Sequence, residues 1–276
     1  MVLPRRVWDY IRSLLTAGEA GAEVRGWRFE LVSPRYRYRP AVSEIATYCP
    51  SRRDLYLKRV EGVPAQQVEA ARRGVVLHEV FLEPLRLASR GDGVDLDSLA
   101  AARRRLYRRL GVRPSRLLDR VYTMGAALAL QMIIDGDTPV AVEPAIPGAA
   151  VGLTDVVKPD LLVGFIPVEI TTASPNSLYG RRKQLTVAGY ALALEAWMGN
   201  PIDYGVIAYL RERDGVPWLD WRVVVLTDDL RRAFLRARDE AAMIVDTRVD
   251  PGAAGEGCPD WCPYRGICSG AGGGSI

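Results

Sequence analysis

Four cysteines are the residues best placed to do chemistry together. Cys49 stands alone near the start, and Cys258, Cys262 and Cys268 follow as C-x3-C-x5-C near the end. The trailing three can share one inorganic centre, and a fold that brings Cys49 over to them makes a four-thiolate site. Iron–sulfur clusters and structural zinc both accept four thiolates, so ligand count leaves both open. The C-x2-C pairs of zinc ribbons are absent, which favours iron–sulfur. Two disulfides, or four unconnected core thiols, are the plainer alternatives.

A second group is acidic. Pro159-Asp160 is separated by eight residues from Glu169-Ile170-Thr171, and between them Gly164-Phe165 has glycine at the first central position of a two-residue type II′ hairpin. That turn pairs Val163 with Ile166 and Leu161 with Val168, and it brings Asp160 opposite Glu169. Directly opposed like charges are destabilising unless a cation lies between them, and a divalent metal is such a cation. Thr171 projects from the same sheet face as Glu169. The alternative is that both carboxylates face solvent. The sole histidine, His78, lies in a helical stretch, where a structural role is the ordinary one. Gln184 and Tyr190 lie on the helix after the hairpin, within reach of a nucleic-acid backbone near such a metal; Tyr190 also suits a helix core.

The 276 residues are 49% hydrophobic, enough for a substantial core. The segment from Met1 to Ala20 carries charges throughout and has no apolar run suited to a secretory signal or a membrane span, so a cytoplasmic, non-membrane protein with reduced thiols is expected. Net charge is +4, but residues 1–120 hold 24 Lys and Arg against 14 Asp and Glu, while the remainder holds 13 against 19. The basic half suits a polyanion. Arg35, Arg37 and Arg39 alternate with Tyr36 and Tyr38, an arrangement that offers phosphate forks and stacking rings, or else an exposed strand edge. Arg103, Arg104, Arg105, Arg108 and Arg109 read as a solvated helix face.

Apolar spacing predicts helices over 4–16, 65–89, 97–110 and 115–135. Strands are expected over 140–146, 150–157, 160–163, 166–172, 203–211 and 217–226, with helices over 177–198 and 228–246. Gly91-Asp92-Gly93 and Pro251 to Gly257 read as loops, and the Gly-rich tail after Cys268 as disordered.

The ordered set of Ser43-Glu-Ile-Ala-Thr-Tyr-Cys49-Pro-Ser-Arg-Arg-Asp-Leu-Tyr56, His78, Pro159-Asp160, Glu169, the Ala188 to Glu195 helix, Asp203-Tyr-Gly205 and the cysteine trio resembles the CRISPR-associated RecB-like nucleases, the fourth Cas family. The resemblance looks strongest to their archaeal type I-A branch and covers about residues 41–270. The resemblance implies an α/β, restriction-endonuclease-like (RecB-like, PD-(D/E)xK) core: a mixed sheet flanked by helices in a single domain over 1–276. Residues 61–138 would be a helical insertion, and 41–60 with 250–270 the cluster-binding part. It also implies a [4Fe-4S] cluster on Cys49, Cys258, Cys262 and Cys268, and Mg²⁺ or Mn²⁺ on His78, Asp160 and Glu169, with Gln184 and Tyr190 as an auxiliary motif. The implied activity is DNA exonuclease in spacer acquisition, trimming prespacer ends beside the Cas integrase and other adaptation proteins.

One position departs from the family pattern, Glu-x-Lys, where this chain has Thr171. Losing one transition-state donor commonly costs roughly a hundredfold or more in rate. Lys183 or Arg182 on the following helix can return the charge from another backbone position. Asp155, in Gly152-Leu-Thr-Asp155, competes with Asp160 for the metal. Thr171 keeps a second reading open, a catalytically weakened DNA-binding subunit of the adaptation complex; a zinc-stapled nucleic-acid-binding protein is a third.

Overall fold

The run from Tyr204 to Leu210 is apolar without alternation, as expected of a strand covered on both faces, and it becomes an interior strand of a five-stranded mixed sheet. The computed structural model describes residues 2–16, 21–90, 94–135, 139–255 and 257–269; the loop expected at Gly91 to Gly93 and the tail beyond Ser269 lie outside them. In chain order the elements are α1 (Arg5–Thr16), α2 (Phe29–Val32), α3 (Val42–Ile45), α4 (Arg53–Arg59), α5 (Glu69–Ser89), α6 (Leu96–Leu110) and α7 (Arg116–Asp135). Then follow β1 (Val140–Val142), β2 (Ile146–Pro147), a 3-10 turn (Ala149–Val151), β3 (Val156–Val157), β4 (Leu161–Val163), β5 (Ile166–Thr171), α8 (Leu178–Met198), β6 (Tyr204–Arg213), β7 (Val216–Val225), α9 (Asp228–Thr247) and α10 (Arg265–Cys268).

The main sheet has the order β1-β4-β5-β6-β7, and a separate two-stranded sheet pairs β2 with β3. Only the β5–β6 pair in the main sheet is parallel. A parallel pair cannot be joined by a tight turn, so the chain crosses over through α8. The two sheet faces carry two cores. Val168, Ile170, Val206 and Ala208 pack with α1, α5, α6 and α7, and Ile207, Tyr209 and Val224 pack with α8 and α9. The expected mixed α/β architecture with a helical insertion before the sheet is therefore present. Of the described helices, α7 is long and apolar enough over Arg116–Ile134 to cross a membrane by composition; here its Val121, Tyr122 and Ala129 are buried in the first core.

Two expected strands are corrected. The one over 140–146 breaks into β1 and β2 because Glu143, followed by Pro144, takes a left-handed φ of 47° and turns its N–H to the Asp160 carbonyl. The one over 150–157 starts in a 3-10 turn (Ala149–Val151), runs on irregularly, and is paired only at Val156 and Val157. Arg35 to Arg39 form no strand: the N–H groups of Arg37 and Tyr38 donate to Asp246, and Arg39 pairs with Asp155.

The hairpin that sets the site has the expected register, with Leu161 opposite Val168, Leu162 opposite Pro167 and Val163 opposite Ile166. Gly164 turns at φ 60°. A Cβ at that φ costs about 1–2 kcal/mol, so Gly164→Ala is expected to lower unfolding stability by that amount in urea titrations. Phe165→Ala, at a half-exposed position, should stay within about 0.5 kcal/mol.

Candidate functional site

Two buried carboxylates lie at the open end of the β4–β5 hairpin, Asp160 at 9% and Glu169 at 6% exposure. They sit one residue pair beyond Leu161 and Val168, and Asp160 Oδ2 accepts the Ile170 N–H at 2.5 Å. Burying two acids side by side is costly without cationic or hydrogen-bonding partners. Both acquire one. Lys183 Nζ donates to Glu169 Oε1 at 2.7 Å, and His78 Nε2 lies 3.0 Å from Asp160 Oδ1.

The partners come from opposite layers. His78 is on α5, whose Leu77, Val80 and Phe81 belong to the first core; Lys183 is on α8, whose Val187, Ala188 and Tyr190 belong to the second. The site forms where the layers meet at the end of the sheet. Gly74, one turn before His78, permits the approach of α5, since a Cβ there would lie 2.8 Å from Thr172 Oγ1.

Burial alone would lower both basic pKa values, but the facing carboxylates outweigh it: Asp160 raises His78, and Glu169 raises Lys183 above its ordinary value. Burial, with Asp160 adding to it, raises Glu169 despite the opposing pull of Lys183. One ammonium does not fully offset two buried acids. Burial and Glu169 also hold the Tyr190 phenol protonated, and its hydroxyl donates to Glu169 Oε2 at 3.4 Å.

The other expected site residues divide. Gln184 is exposed, and its side chain makes no hydrogen bond among the described residues. Thr171 is buried, and its hydroxyl accepts the Ala173 N–H at 3.2 Å, closing the strand end. Asp155 is apart from the carboxylate pair, exposed and 3.2 Å from Arg39. Of the two candidate cations on α8, only Lys183 reaches the pair. Arg182 instead donates to the carbonyls of Thr47 and Cys49 at 2.8 and 2.7 Å.

Those bonds lead to the cysteines. Cys49, Asp54, Cys258, Cys262, Tyr264 and Cys268 line one cavity of about 250 Å³, and all four thiols are free. Burial pushes the Cys262 thiol up to about 11. Among the described residues, no group of three or more His, Cys, Asp or Glu side chains is arranged to hold a metal ion; the thiols are neighbours around a cavity. Three rings join this cavity to the carboxylates. Trp261, beside Cys262, packs 4.9 Å from Tyr48, beside Cys49, and 6.1 Å from Tyr179. The ammonium of Lys183 lies 4.9 Å from the Tyr179 ring centre.

The family model described as CRISPR-associated exonuclease Csa1 matches residues 3–271. The chain belongs to the Csa1 family of CRISPR-associated exonucleases. It is 33% identical over 273 residues to a CRISPR-associated exonuclease Csa1 of Thermoproteus tenax, covering 93% of this chain and 95% of that protein. It is 27% identical over 271 residues to one of Saccharolobus solfataricus, covering 89% and 91%.

Within this Csa1-family chain, sequence reasoning overlooked Tyr48, Tyr179 and Trp261. Their signal was local: two of the three adjoin cysteines. Removing one partner of a buried ion pair typically costs about 3–5 kcal/mol, because the other charge is left uncompensated. Lys183→Met is therefore expected to destabilise by that order in chemical denaturation. Glu169→Gln added to it should recover most of the loss.

Proposed function

We propose that the chain is a divalent-metal-dependent DNA exonuclease of CRISPR adaptation, of the archaeal type I-A branch of the RecB-like nucleases, which trims prespacer ends before the Cas integrase inserts them. The observation that carries this reading is that two layers each bring a basic side chain, His78 to Asp160 and Lys183 to Glu169, onto neighbouring buried carboxylates. Pro159-Asp160 and Glu169 then read as a PD-(D/E)xK core whose lysine has moved from position 171 on the strand to Lys183 on α8.

The donor chemistry fits a hard cation, since two carboxylates and one imidazole suit Mg²⁺ or Mn²⁺; the three side chains are not already arranged around an ion position, so binding would draw them together. His78, Asp160 and Glu169 would hold it, and when bound it would polarise a phosphate and lower the pKa of a water. The Ile170 N–H fixes the Asp160 carboxylate, so its second oxygen is aimed at His78. Lys183 keeps a positive charge beside Glu169, suited to the negative charge that builds on a phosphoryl group in displacement. Tyr190 orients the other Glu169 oxygen. The four thiols around one cavity fit an iron–sulfur cluster, [4Fe-4S] by preference, which would fasten residues 41–60 to 250–270 within a single domain. Arg182 and the Tyr48, Tyr179 and Trp261 rings would pass that fastening to α8.

The position of Thr171 also supports a second reading, a DNA-binding subunit with weakened catalysis. End-labelled DNA digested with Mn²⁺ after anaerobic purification separates the two. Asp160→Ala and Glu169→Ala should abolish cleavage, and Lys183→Ala should slow it roughly a hundredfold. Thr171→Lys should matter little alone and restore much of the rate in the Lys183→Ala protein. Cleavage lost in Asp155→Ala but kept in Asp160→Ala would refute the site, and salt-sensitive DNA binding without cleavage in any variant would favour the second reading.

The raised pKa of His78, which faces Asp160, means that the metal-free site holds a proton there to higher pH than a free imidazole would, and a cation must displace it. Mn²⁺ affinity should therefore rise with pH through the neutral range, with proton release on binding, as calorimetry in buffers of different ionisation enthalpy would show. Separately, the anaerobic protein should be brown with broad thiolate-to-iron absorption, and Cys49→Ala should lose both iron and stability. Stoichiometric zinc without iron after anaerobic reconstitution would overturn the cluster assignment.

A further inference from the structure

Apart from the carboxylate centre, the junction of α6 and α7 carries a groove of about 670 Å³ lined by Arg103, Arg104, Tyr107, Arg108, Arg113 and Asp119. Its one acid is already engaged. Asp119 lies 3.2 Å from Arg103 and accepts from the Tyr107 hydroxyl at 3.1 Å. Arg104, Arg108 and Arg113 are exposed, and their side chains have no hydrogen bond or ion pair among the described residues. Arg104 and Arg108 are spaced four apart, on one helix face. The negative end of the α6 dipole attracts Arg108 in the last turn, but Arg113 lies beyond the helix and Arg104 more than a turn from its end. Three guanidinium groups around one groove without counter-charges favour a ligand that supplies several anionic groups in a row.

Helix α6, which bears Arg104 and Arg108, is tied to α5, the helix of His78. Arg109, the neighbour of Arg108, lies 3.4 Å from Glu79 and 3.5 Å from Glu83, and Glu79 follows His78 on α5. This ion pair ties the arginine-bearing end of α6 to the turn that presents His78. Glu79 and Glu83 are in turn held by Arg86, so these acids neutralise their own arginines and leave the groove positive.

We propose that the α6–α7 groove is a phosphate-tracking subsite for the DNA strand, in which Arg104, Arg108 and Arg113 hold backbone phosphates outside the cleavage centre. The proposal rests on the reading of the chain as a DNA exonuclease. Guanidinium forks bind phosphate oxygens without reading base edges, so the subsite would add affinity and processivity without sequence preference.

The test compares the wild-type protein with the combined Arg104→Gln, Arg108→Gln, Arg113→Gln variant. A control of equal charge loss elsewhere carries Arg5→Gln, Arg12→Gln and Arg213→Gln. Binding of a labelled single-stranded oligonucleotide is measured across salt concentrations with EDTA present, and Mn²⁺-dependent cleavage is measured on the same oligonucleotide and on a small phosphodiester ester. Each lost phosphate contact should flatten the plot of log K against log salt by roughly 0.7–0.9, so the groove variant should be shallower by about 2 and bind at least tenfold more weakly at moderate salt. The control should keep the wild-type slope. Oligonucleotide cleavage should show a raised KM with kcat nearly unchanged, and the small ester should be cleaved equally by all three proteins. Wild-type cleavage with the same slope and KM in the groove variant would overturn the subsite while leaving the nuclease reading intact. No DNA binding or cleavage by the wild-type protein would overturn both, and the groove would then belong to an acidic protein partner.

Discussion

Two carboxylates cannot share a buried position without compensation, and that constraint organises much of this molecule. The Gly164-Phe165 turn and its register put Asp160 and Glu169 side by side. Each layer then supplies one basic side chain, His78 from α5 and Lys183 from α8. The compensation is incomplete, because Glu169 remains raised by burial and by Asp160. A site with residual negative charge and hard donors is suited to a divalent cation, which connects the electrostatics of the hairpin to the proposed phosphodiester chemistry.

Helix α8 carries much of the burden. Near its C-terminal end, fully buried Glu195 accepts from Arg25, Arg231 and the N–H groups of Gly26 and Ile202, which ties the helix to the N-terminal segment, to α9 and to the strand that follows. At its N-terminal end, two consecutive residues serve two sites: Arg182 grips the carbonyls around Cys49, and Lys183 meets Glu169. Tyr179, one turn earlier, touches Trp261 and lies under Lys183. A shift at the cysteine cavity therefore has a short physical route to the carboxylates, through packed rings and one helix turn.

Local signals made much of the site legible. Gly164 at the first position of a two-residue turn was enough to set the register, because a side-chain period of two leaves little freedom once one face is buried. The cysteines were legible as a set, and α5 to α9 followed from apolar spacing. What escaped has a common cause, long-range partnership. Nothing near Lys183 or Arg182 distinguishes them, since a step of one residue on a helix turns a side chain by about 100° and sends the two to different neighbours. Arg35 to Arg39 alternate like a strand, yet Asp155, Asp239 and Asp246 satisfy that segment from other parts of the chain. Gln184 faces solvent for the same rotational reason that Lys183 faces inward.

The most direct measurement of the central claim is pulsed electron paramagnetic resonance on the protein loaded with one equivalent of Mn²⁺. If His78, Asp160 and Glu169 form a single centre, the bound ion should show hyperfine coupling to one imidazole nitrogen, and that coupling should vanish in His78→Gln. Asp160→Asn combined with Glu169→Gln should leave the ion free in solution. Equally tight Mn²⁺ binding in that double variant, or a bound ion with no nitrogen coupling in the wild-type protein, would contradict the account.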